Sequence, residues 1–318
     1  MLKQAGAIDP EQSLAIRAAW LHYAGGLTQS AVAKRLGLPS VKAHRLIARA
    51  VAEGAVKVSI DGEIVECVTL ENELCDRYGL DSCEVAPDLG EEGLPLRALG
   101  LAGASYLRRE IEHGSSDLIG LGHGRTLAAA IGQMPRFDAS HVRFVSLLGG
   151  LTRNYAANPH DVMHRLAEKT GAQAYVMPVP FFANSVEDLE VLLSQRGVRE
   201  VFDLSNRAPL KIVGIGTVHQ RTQLVATGMI EPREIEEIVA IGGVGEMLGH
   251  FFDAHGRELE TTLTARTLSV DLESGHEGRI VAIAGGPGKT EAIRALLASA
   301  KLNGLITDEP TARALLEK

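Results

Sequence analysis

The sequence has few cysteines, and their spacing suggests neither a cross-link nor a metal site. Its three cysteines, Cys67, Cys75 and Cys83, are odd in number and lack CxxC spacing. Secreted domains held by disulfides use paired cysteines, and structural zinc sites use closely spaced ones, so both classes are excluded. We expect three free thiols, no bound metal and no cofactor.

Long apolar runs are also missing. Hydrophobic residues make up 45% of the 318 residues, but no stretch of about 18 consecutive apolar residues occurs. The N-terminus lacks the basic segment followed by an apolar one that is typical of a secretory signal. We therefore expect a cytoplasmic protein with no membrane partner, and the length is sufficient for a large buried core.

Charge is distributed unevenly along the chain. Residues 1–60 contain eight Lys or Arg and three Asp or Glu, a net charge of +5, although the whole chain carries −8. The remaining residues therefore carry −13. This asymmetry predicts a basic DNA-binding domain over residues 1–60 and an acidic domain over residues 61–318.

The basic segment has the pattern of two short helices joined by a tight turn. Residues 27–58 read LTQSAVAKRLGLPSVKAHRLIARAVAEGAVKV and follow a helical stretch over residues 11–23. Thr28 is the expected N-cap of the first short helix and Ser40 that of the second, while Gly37-Leu38-Pro39 separates them. Trp20, the single tryptophan, is expected in the core of these helices. Residues 56–60 are predicted to form a wing or an edge strand.

The second short helix has an apolar face and a basic face. At 100° per residue, four of its side chains form one apolar stripe: Ala43, Leu46, Ile47 and Ala50. Its basic residues lie on another face, which predicts a helix-turn-helix, with a small bundle bearing a solvated basic face as the alternative. We expect four side chains to enter the major groove: Lys42, His44, Arg45 and Arg49. Thr28, Gln29 and Ser40 are expected to contact phosphates.

Beyond residue 60, short apolar runs alternate with amphipathic helical stretches. Strands are predicted near residues 83–86, 118–122, 142–148, 174–177, 211–215, 280–284 and 304–306. Helices are predicted near residues 94–113, 126–133, 160–170, 185–195, 232–240, 289–300 and 308–317. This alternation predicts a Rossmann-like α/β domain, in which a parallel sheet is covered by helices on both faces. Ligands of such sheets bind beyond the carboxyl ends of the strands.

Two glycine-rich loops follow consecutive predicted strands. The first consists of Gly122, His123, Gly124, Arg125 and Thr126, and the second of Gly149, Gly150, Leu151, Thr152 and Arg153. Each offers free amides, a guanidinium and a hydroxyl at a strand end, which suits an anion or a polyhydroxylated ligand. The alternative for each loop is a tight turn with a solvated arginine.

Three further side chains are candidates for the same ligand: Glu246, Asp253 and Lys289. Lys289 lies in AGGPGKT, which lacks the first glycine of a nucleotide-binding P-loop because Ile283 stands there, so ATP is not expected. Glu246 and Asp253 are suited to bond sugar hydroxyls. The segment HFFDAH over residues 250–255 has metal-ligand residue types, but its alternation favours a strand.

Taken in order, these motifs resemble the SorC family of sugar-responsive transcriptional regulators. The resemblance includes the helix-turn-helix, the GHGRT and SLLGGLTR loops, the VAIAGGPGKTEAI stretch and the closing LNGLITDEPTARALLEK, and it covers nearly the whole chain. Within the family the sequence is most similar to regulators of erythritol catabolism. Many relatives carry Ser-Arg-x-x-Val-Ser-Arg where this chain has Ser40-Val41-Lys42-Ala43-His44-Arg45, so its operator preference is expected to differ.

The resemblance implies a regulator of a carbohydrate or polyol operon. It implies an effector domain related to sugar-phosphate isomerases and CoA transferases, a homodimer or tetramer that binds double-stranded operator DNA, and control by a small sugar, polyol or phosphosugar. No catalytic residues are expected. Repression is the expected mode, although the sequence leaves activation open. A sugar-phosphate isomerase-like enzyme and a DNA-packaging protein without a ligand are the alternatives.

Overall fold

The computed structural model describes residues 10–56, 64–114, 116–220, 222–272 and 278–317. The chain divides into two compact units, residues 1–62 and residues 63–318. In the described part of the first unit, three helices surround a small core: α1 (Pro10–Tyr23), α2 (Gln29–Leu36) and α3 (Ser40–Ala52). The four predicted apolar residues of α3 are all buried, which confirms the helical periodicity.

The first unit confirms one predicted helix cap and contradicts the other. The Thr28 hydroxyl accepts a hydrogen bond from the Ala31 N–H at 3.2 Å, so Thr28 caps α2 as predicted. Ser40 is not a cap but the first residue of α3, and Pro39 occupies the cap position. The ring of Pro39 fixes its φ, here −60°, and its carbonyl accepts hydrogen bonds from the first turn of α3.

The prediction that Trp20 belongs to the core is wrong. Its side chain is 65% exposed, and Ile16 and Tyr23 on the same helix are exposed as well. The buried side of α1 consists of Ala15, Ala18, Ala19 and Leu21, whereas Trp20 lies on the exposed side of the helix. The predicted wing over residues 56–60 lies almost entirely outside the described residues.

A seven-stranded parallel sheet, counted over the described residues, forms the centre of the second unit. The strands of the unit are β1 (Ser82–Ala86), β2 (Leu118–Leu121), β3 (Arg143–Ser146), β4 (Gln173–Tyr175), β5 (Leu210–Val213), β6 (Gly216–Thr217), β7 (Gly243–Met247), β8 (His250–Asp253), β9 (Glu258–Leu259), β10 (Arg279–Ile283) and β11 (Gly304–Asp308). The large sheet has the order β1-β11-β10-β5-β2-β3-β4, and β6 to β9 form a small antiparallel sheet. All seven predicted strands are confirmed.

Helices cover both faces of the large sheet, because its central strands β2 and β5 are buried throughout and all their residues except Lys211 are apolar. The helices are α4 (Val65–Tyr78), α5 (Leu96–Glu112), α6 (Arg125–Gln133), α7 (Met163–Thr170), α8 (Val186–Ser194), α9 (Arg196–Asn206), α10 (Gln223–Ala226), α11 (Pro232–Ala240), α12 (Thr290–Ala298) and α13 (Glu309–Leu316). The predicted helices are confirmed, whereas α4, α9 and α10 were not predicted. In the ranges that the structure covers, no helix has both the length and the apolarity to cross a bilayer.

Candidate functional site

A cavity lies at the carboxyl ends of the central strands of the second unit. The loops that follow β2 and β5 line it, together with part of the small sheet and the start of α12. The space that these residues surround is about 810 Å³, including open solvent at the mouth. Its apolar wall is formed by Leu148, Phe181, Ile215, Leu224, Met229 and Leu248.

The first predicted glycine-rich loop forms one side of the cavity. His123, Gly124, Arg125 and Thr126 line it, whereas Gly122 continues the sheet and donates its N–H to the Ile212 carbonyl at 2.9 Å. Gly124 has φ +133°, a conformation that side-chain-bearing residues rarely adopt, and it starts α6 directly at the cavity. Thr126 is buried and donates its hydroxyl to the Ile283 carbonyl at 2.9 Å, so it anchors α6 to β10.

The second predicted loop does not line the cavity. None of Gly149, Gly150, Leu151, Thr152 and Arg153 is among the lining residues. A Cβ atom at Gly149 would lie 2.2 Å from the Pro180 carbonyl oxygen, so this loop is packed tightly against a neighbouring segment. Arg153 points away into an ion pair with Glu234, at 2.9 Å. The predicted role of this loop in direct effector contact has no support from the geometry.

The chain after this second loop does reach the cavity. Asn158 and His160 line it, and the Asn158 N–H donates to the Gly150 carbonyl at 3.3 Å. The loop therefore contacts the backbone of Asn158, and Asn158 lines the cavity while the loop itself does not. Neither residue was predicted from the sequence, and neither was Gln223, which also lines the cavity with its Nε2 3.3 Å from His160 Nε2. No local motif marks them, because the contact that places Asn158 joins residues eight positions apart.

Lys289 and Glu246 both line the cavity, as the sequence suggested. Lys289 Nζ donates to the Ile215 carbonyl at 2.6 Å. Desolvation and the nearby charge of Arg125 lower the pKa of Lys289 to about 8, although Glu246 acts in the opposite direction. Desolvation raises the pKa of Glu246, whose Oε1 accepts the Gly249 N–H at 2.7 Å. A cation and a buried carboxyl group therefore face the same space.

Asp253 lies outside the cavity lining and closes a turn. Its carboxylate accepts hydrogen bonds from the N–H groups of His255 and Arg257, at 2.9 and 3.0 Å, and from Arg257 Nε at 2.8 Å. Desolvation acts to raise its pKa, but the hydrogen bonds from Arg257 and His255 outweigh it and lower the pKa. Asp253 is therefore occupied by the β8–β9 turn and does not face an effector in the cavity.

Two imidazoles in the cavity are held in the neutral form. Desolvation and the neighbouring His160 lower the pKa of His123 to about 4, and its ring packs edge-on against Phe181 at a centroid distance of 5.3 Å. Desolvation and the charge of Arg125 lower the pKa of His160. Over the residues that the structure describes, no group of three or more His, Cys, Asp or Glu could hold a metal ion.

In the first unit, α3 presents polar and basic side chains to solvent. Lys42, His44 and Arg45 are exposed, and neither Lys42 nor Arg45 forms an ion pair with another described residue. His44 Nδ1 lies 2.9 Å from Gln29 Oε1, so these two side chains position one another. Arg49 differs, because it forms salt bridges with Glu53 at 2.6 Å and with Glu11 at 3.1 Å.

Comparisons with known proteins match the second unit to a family model and nearly the whole chain to several relatives. A family model, Sugar-bind, described as “Putative sugar-binding domain”, matches residues 62–317. The erythritol catabolism regulatory protein EryD of Brucella abortus is 70% identical over 308 residues, which cover 97% of this chain and 98% of that protein. The transcriptional regulator LsrR of Klebsiella pneumoniae is 33% identical over 320 residues, which cover 99% of this chain and 96% of that protein.

The fold is shared with a solved structure. The crystal structure of the full-length sorbitol operon regulator SorC from Klebsiella pneumoniae superposes on this protein with a TM-score of 0.70 at 23% sequence identity. The match covers 97% of this chain and 100% of the SorC chain. These relatives are named as regulators and not as enzymes. The chain belongs to the Sugar-bind family and is a transcriptional regulator.

Proposed function

We propose that residues 1–62 bind operator DNA through a helix-turn-helix formed by α2 and α3. The observation that carries this proposal is the position of Lys42, His44 and Arg45, which are exposed on α3 while its apolar stripe is buried. Helices of this type place their exposed residues in the major groove. Thr28, Gln29 and Ser40 are exposed near the start of α2 and of α3 and remain our candidates for phosphate contacts.

The second unit is the proposed effector-binding and oligomerisation domain. Arg125 and Lys289 supply positive charge to the cavity, and Glu246 supplies a buried carboxyl group that can bond a hydroxyl. This combination suits a small sugar, a polyol or a phosphosugar. Erythritol is the first candidate, because the name of the EryD relative refers to its catabolism.

In a dimer or tetramer, two helix-turn-helix units would bind operator half-sites about 34 Å apart, or a multiple of that distance apart. The effector changes operator binding only if the protein has two arrangements of its helix-turn-helix units and the effector binds them with different affinities. Because a regulator acts where its operator lies, this proposal places the protein in the cytoplasm.

The proposal is tested with the full chain in two steps. A thermal-shift screen of four- and five-carbon polyols and their phosphates is expected to reveal ligands, because a bound ligand at about 100 times its Kd stabilises the fold by about 2.7 kcal/mol. Each ligand is then added to a complex with operator DNA. We expect at least one to change operator affinity.

Two matched variants test whether the thermal shift arises from binding in the cavity. Lys289→Met is expected to reduce the thermal shift, whereas Arg165→Ala, an exposed substitution outside the cavity, is not. If no polyol, sugar or phosphosugar changes either stability or operator binding, the effector function is wrong.

A further inference from the structure

We propose that Asn158 and Gln223 form a subsite for uncharged hydroxyl groups of the effector. The inference rests on the proposed effector-binding function, and it adds which part of the ligand is recognised and by which residues. The subsite lies in the same cavity as Arg125 and Lys289, and all four residues line it. A small polyol is therefore held by amide groups as well as by the cationic groups.

The amide of Asn158 is the principal observation. The residue is 5% exposed, and its Oδ1 accepts a hydrogen bond from the His160 N–H at 3.0 Å. This contact assigns the orientation of the amide, because only the oxygen can accept. Its Nδ2 is buried, and no atom in the described parts of the chain accepts a hydrogen bond from it. A buried donor without an acceptor is unfavourable, so a ligand oxygen that reaches it is bound selectively.

The backbone of Asn158 is held firmly, which keeps the side chain in place. Its N–H donates to the Gly150 carbonyl at 3.3 Å, and its own carbonyl accepts the Asp161 N–H at 3.1 Å. These bonds fix the backbone position, and the hydrogen bond from the His160 N–H to Oδ1 holds the side chain. A donor that is fixed before binding loses little entropy when the ligand arrives.

Gln223 supplies the complementary acceptor. Its Nε2 lies 3.3 Å from His160 Nε2, and in this pair the amide donates and the imidazole accepts. Burial and the charge of Arg125 lower the pKa of His160, which keeps the imidazole neutral and able to accept. Within the described ranges no donor forms a hydrogen bond with Gln223 Oε1, so this carbonyl oxygen is available to a hydroxyl.

The chemistry of the subsite favours hydroxyls over a charged group. Asn158, His160 and Gln223 are all uncharged at neutral pH, and together they offer both a donor and an acceptor. A hydroxyl both donates and accepts, so hydroxyl groups of a polyol can bond the Asn158 donor and the Gln223 acceptor. A phosphate only accepts when it is fully ionised, and the cationic Arg125 and Lys289 suit it better.

The test uses isothermal titration of the full-length chain with erythritol, other four- and five-carbon polyols, and inorganic phosphate. For the polyol that binds the wild-type chain, Asn158→Ala is expected to raise the Kd at least roughly tenfold, because one buried hydrogen bond is lost. Inorganic phosphate is expected to bind this variant as it binds the wild type. Asn154→Ala is the matched control, since Asn154 is an exposed asparagine of the same segment outside the cavity.

A second variant keeps the test possible if the Asn158→Ala protein does not fold. If Asn158→Ala loses its thermal transition, Gln223→Leu, which removes the other amide, is used in its place with the same expected rise in Kd. An unchanged polyol Kd in a folded variant overturns the subsite and leaves the effector function intact. Failure of every polyol and phosphosugar to bind the wild-type chain overturns the effector function, and the subsite with it.

Discussion

At the scale of single residues, two arginines of α3 have different surroundings. Arg45 is exposed and forms no ion pair with a described residue, whereas Arg49 is bound to Glu11 and Glu53. A guanidinium must be free of protein carboxylates to form a bidentate pair with a guanine. Arg45 is therefore the stronger candidate for base recognition, and Arg49 contributes to the packing of α3 near α1.

Replacement of Arg45 by Ala is expected to weaken specific operator binding by roughly 1–3 kcal/mol and to reduce sequence preference. Arg49→Ala is expected to have a smaller effect on DNA binding and to cost about 0–1 kcal/mol of stability, because its salt bridges are partly exposed. Fluorescence anisotropy with operator and scrambled duplexes measures the first effect. An Arg45→Ala variant with unchanged selectivity would contradict the assignment of this face.

Lys289 is expected to make anion binding depend on pH. Its pKa of about 8 lies below the ordinary value of 10.5, so the side chain loses its charge between pH 7 and pH 9. The protonated fraction falls roughly tenfold over this range, and the affinity for a phosphosugar or inorganic phosphate is expected to fall with it. Titration calorimetry at pH 7, 8 and 9 measures this change.

A neutral polyol serves as the control for this pH dependence. Its affinity is expected to change less, because it does not need the positive charge of Lys289. The Lys289→Met variant should lose the pH dependence of phosphate binding. Equal phosphate affinity at pH 7 and pH 9 in the wild type would show that Lys289 does not contact the anion.

At the scale of elements, Glu234 joins three parts of the second unit. It lies at the start of α11. Its carboxylate forms salt bridges with Arg266 of a short 3-10 turn (Thr264–Arg266) and with Arg153 of the second glycine-rich loop. Desolvation acts to raise the pKa of Glu234, but the Glu231 N–H and the two arginines outweigh it and lower the pKa. This network keeps Arg153 away from the cavity.

Glu234→Ala is expected to destabilise the fold by roughly 3–5 kcal/mol, because Arg266 remains buried without its partner. Glu237→Ala, an exposed residue of the same helix, is expected to change stability by no more than about 0.5 kcal/mol. Urea denaturation measures both. Because the pKa of Glu234 is lowered, its contribution is present above the unfolded value of 4.5 and is lost as the pH falls through the folded pKa.

Two glycines of α6 or its cap provide a second test at this scale. Gly124→Ala is expected to cost roughly 1–3 kcal/mol and to weaken ligand binding, because alanine is strained at φ +133°. Gly132→Ala is expected to stabilise the fold by about 0.5–1 kcal/mol, because the site is helical and open. Thermal denaturation without ligand measures the effect of each substitution on stability, and the shift caused by added ligand measures its effect on binding. A neutral Gly124→Ala substitution would show that the backbone there adapts.

At the scale of the whole molecule, the two units are expected to be coupled through binding. If the effector changes operator affinity by some factor, the operator must change effector affinity by the same factor. Calorimetry with and without the operator duplex measures the factor by which the operator changes effector affinity. Fluorescence anisotropy with and without effector measures the factor by which the effector changes operator affinity, and the two are expected to be equal. Unequal factors would mean that the ligand acts outside this complex.

The linear pattern of residues was sufficient to predict the strands of the large sheet, most of the helices and several of the cavity residues. The apolar stripe of α3 depends on a period of 3.6, and the seven strands are short apolar runs, so both are local properties of the sequence. Arg125 and Lys289 follow predicted strands, and the carboxyl ends of parallel strands always meet at one edge of a sheet.

Only the tertiary structure decided which polar side chains share the cavity. Asn158 faces it because Gly150 holds its backbone, Arg153 is removed from it by Glu234, and Trp20 is exposed because other residues form the buried side of its helix. Each of these outcomes depends on partners distant in sequence or on how neighbouring helices pack. Local periodicity carries no information about either, so packing alone determines them.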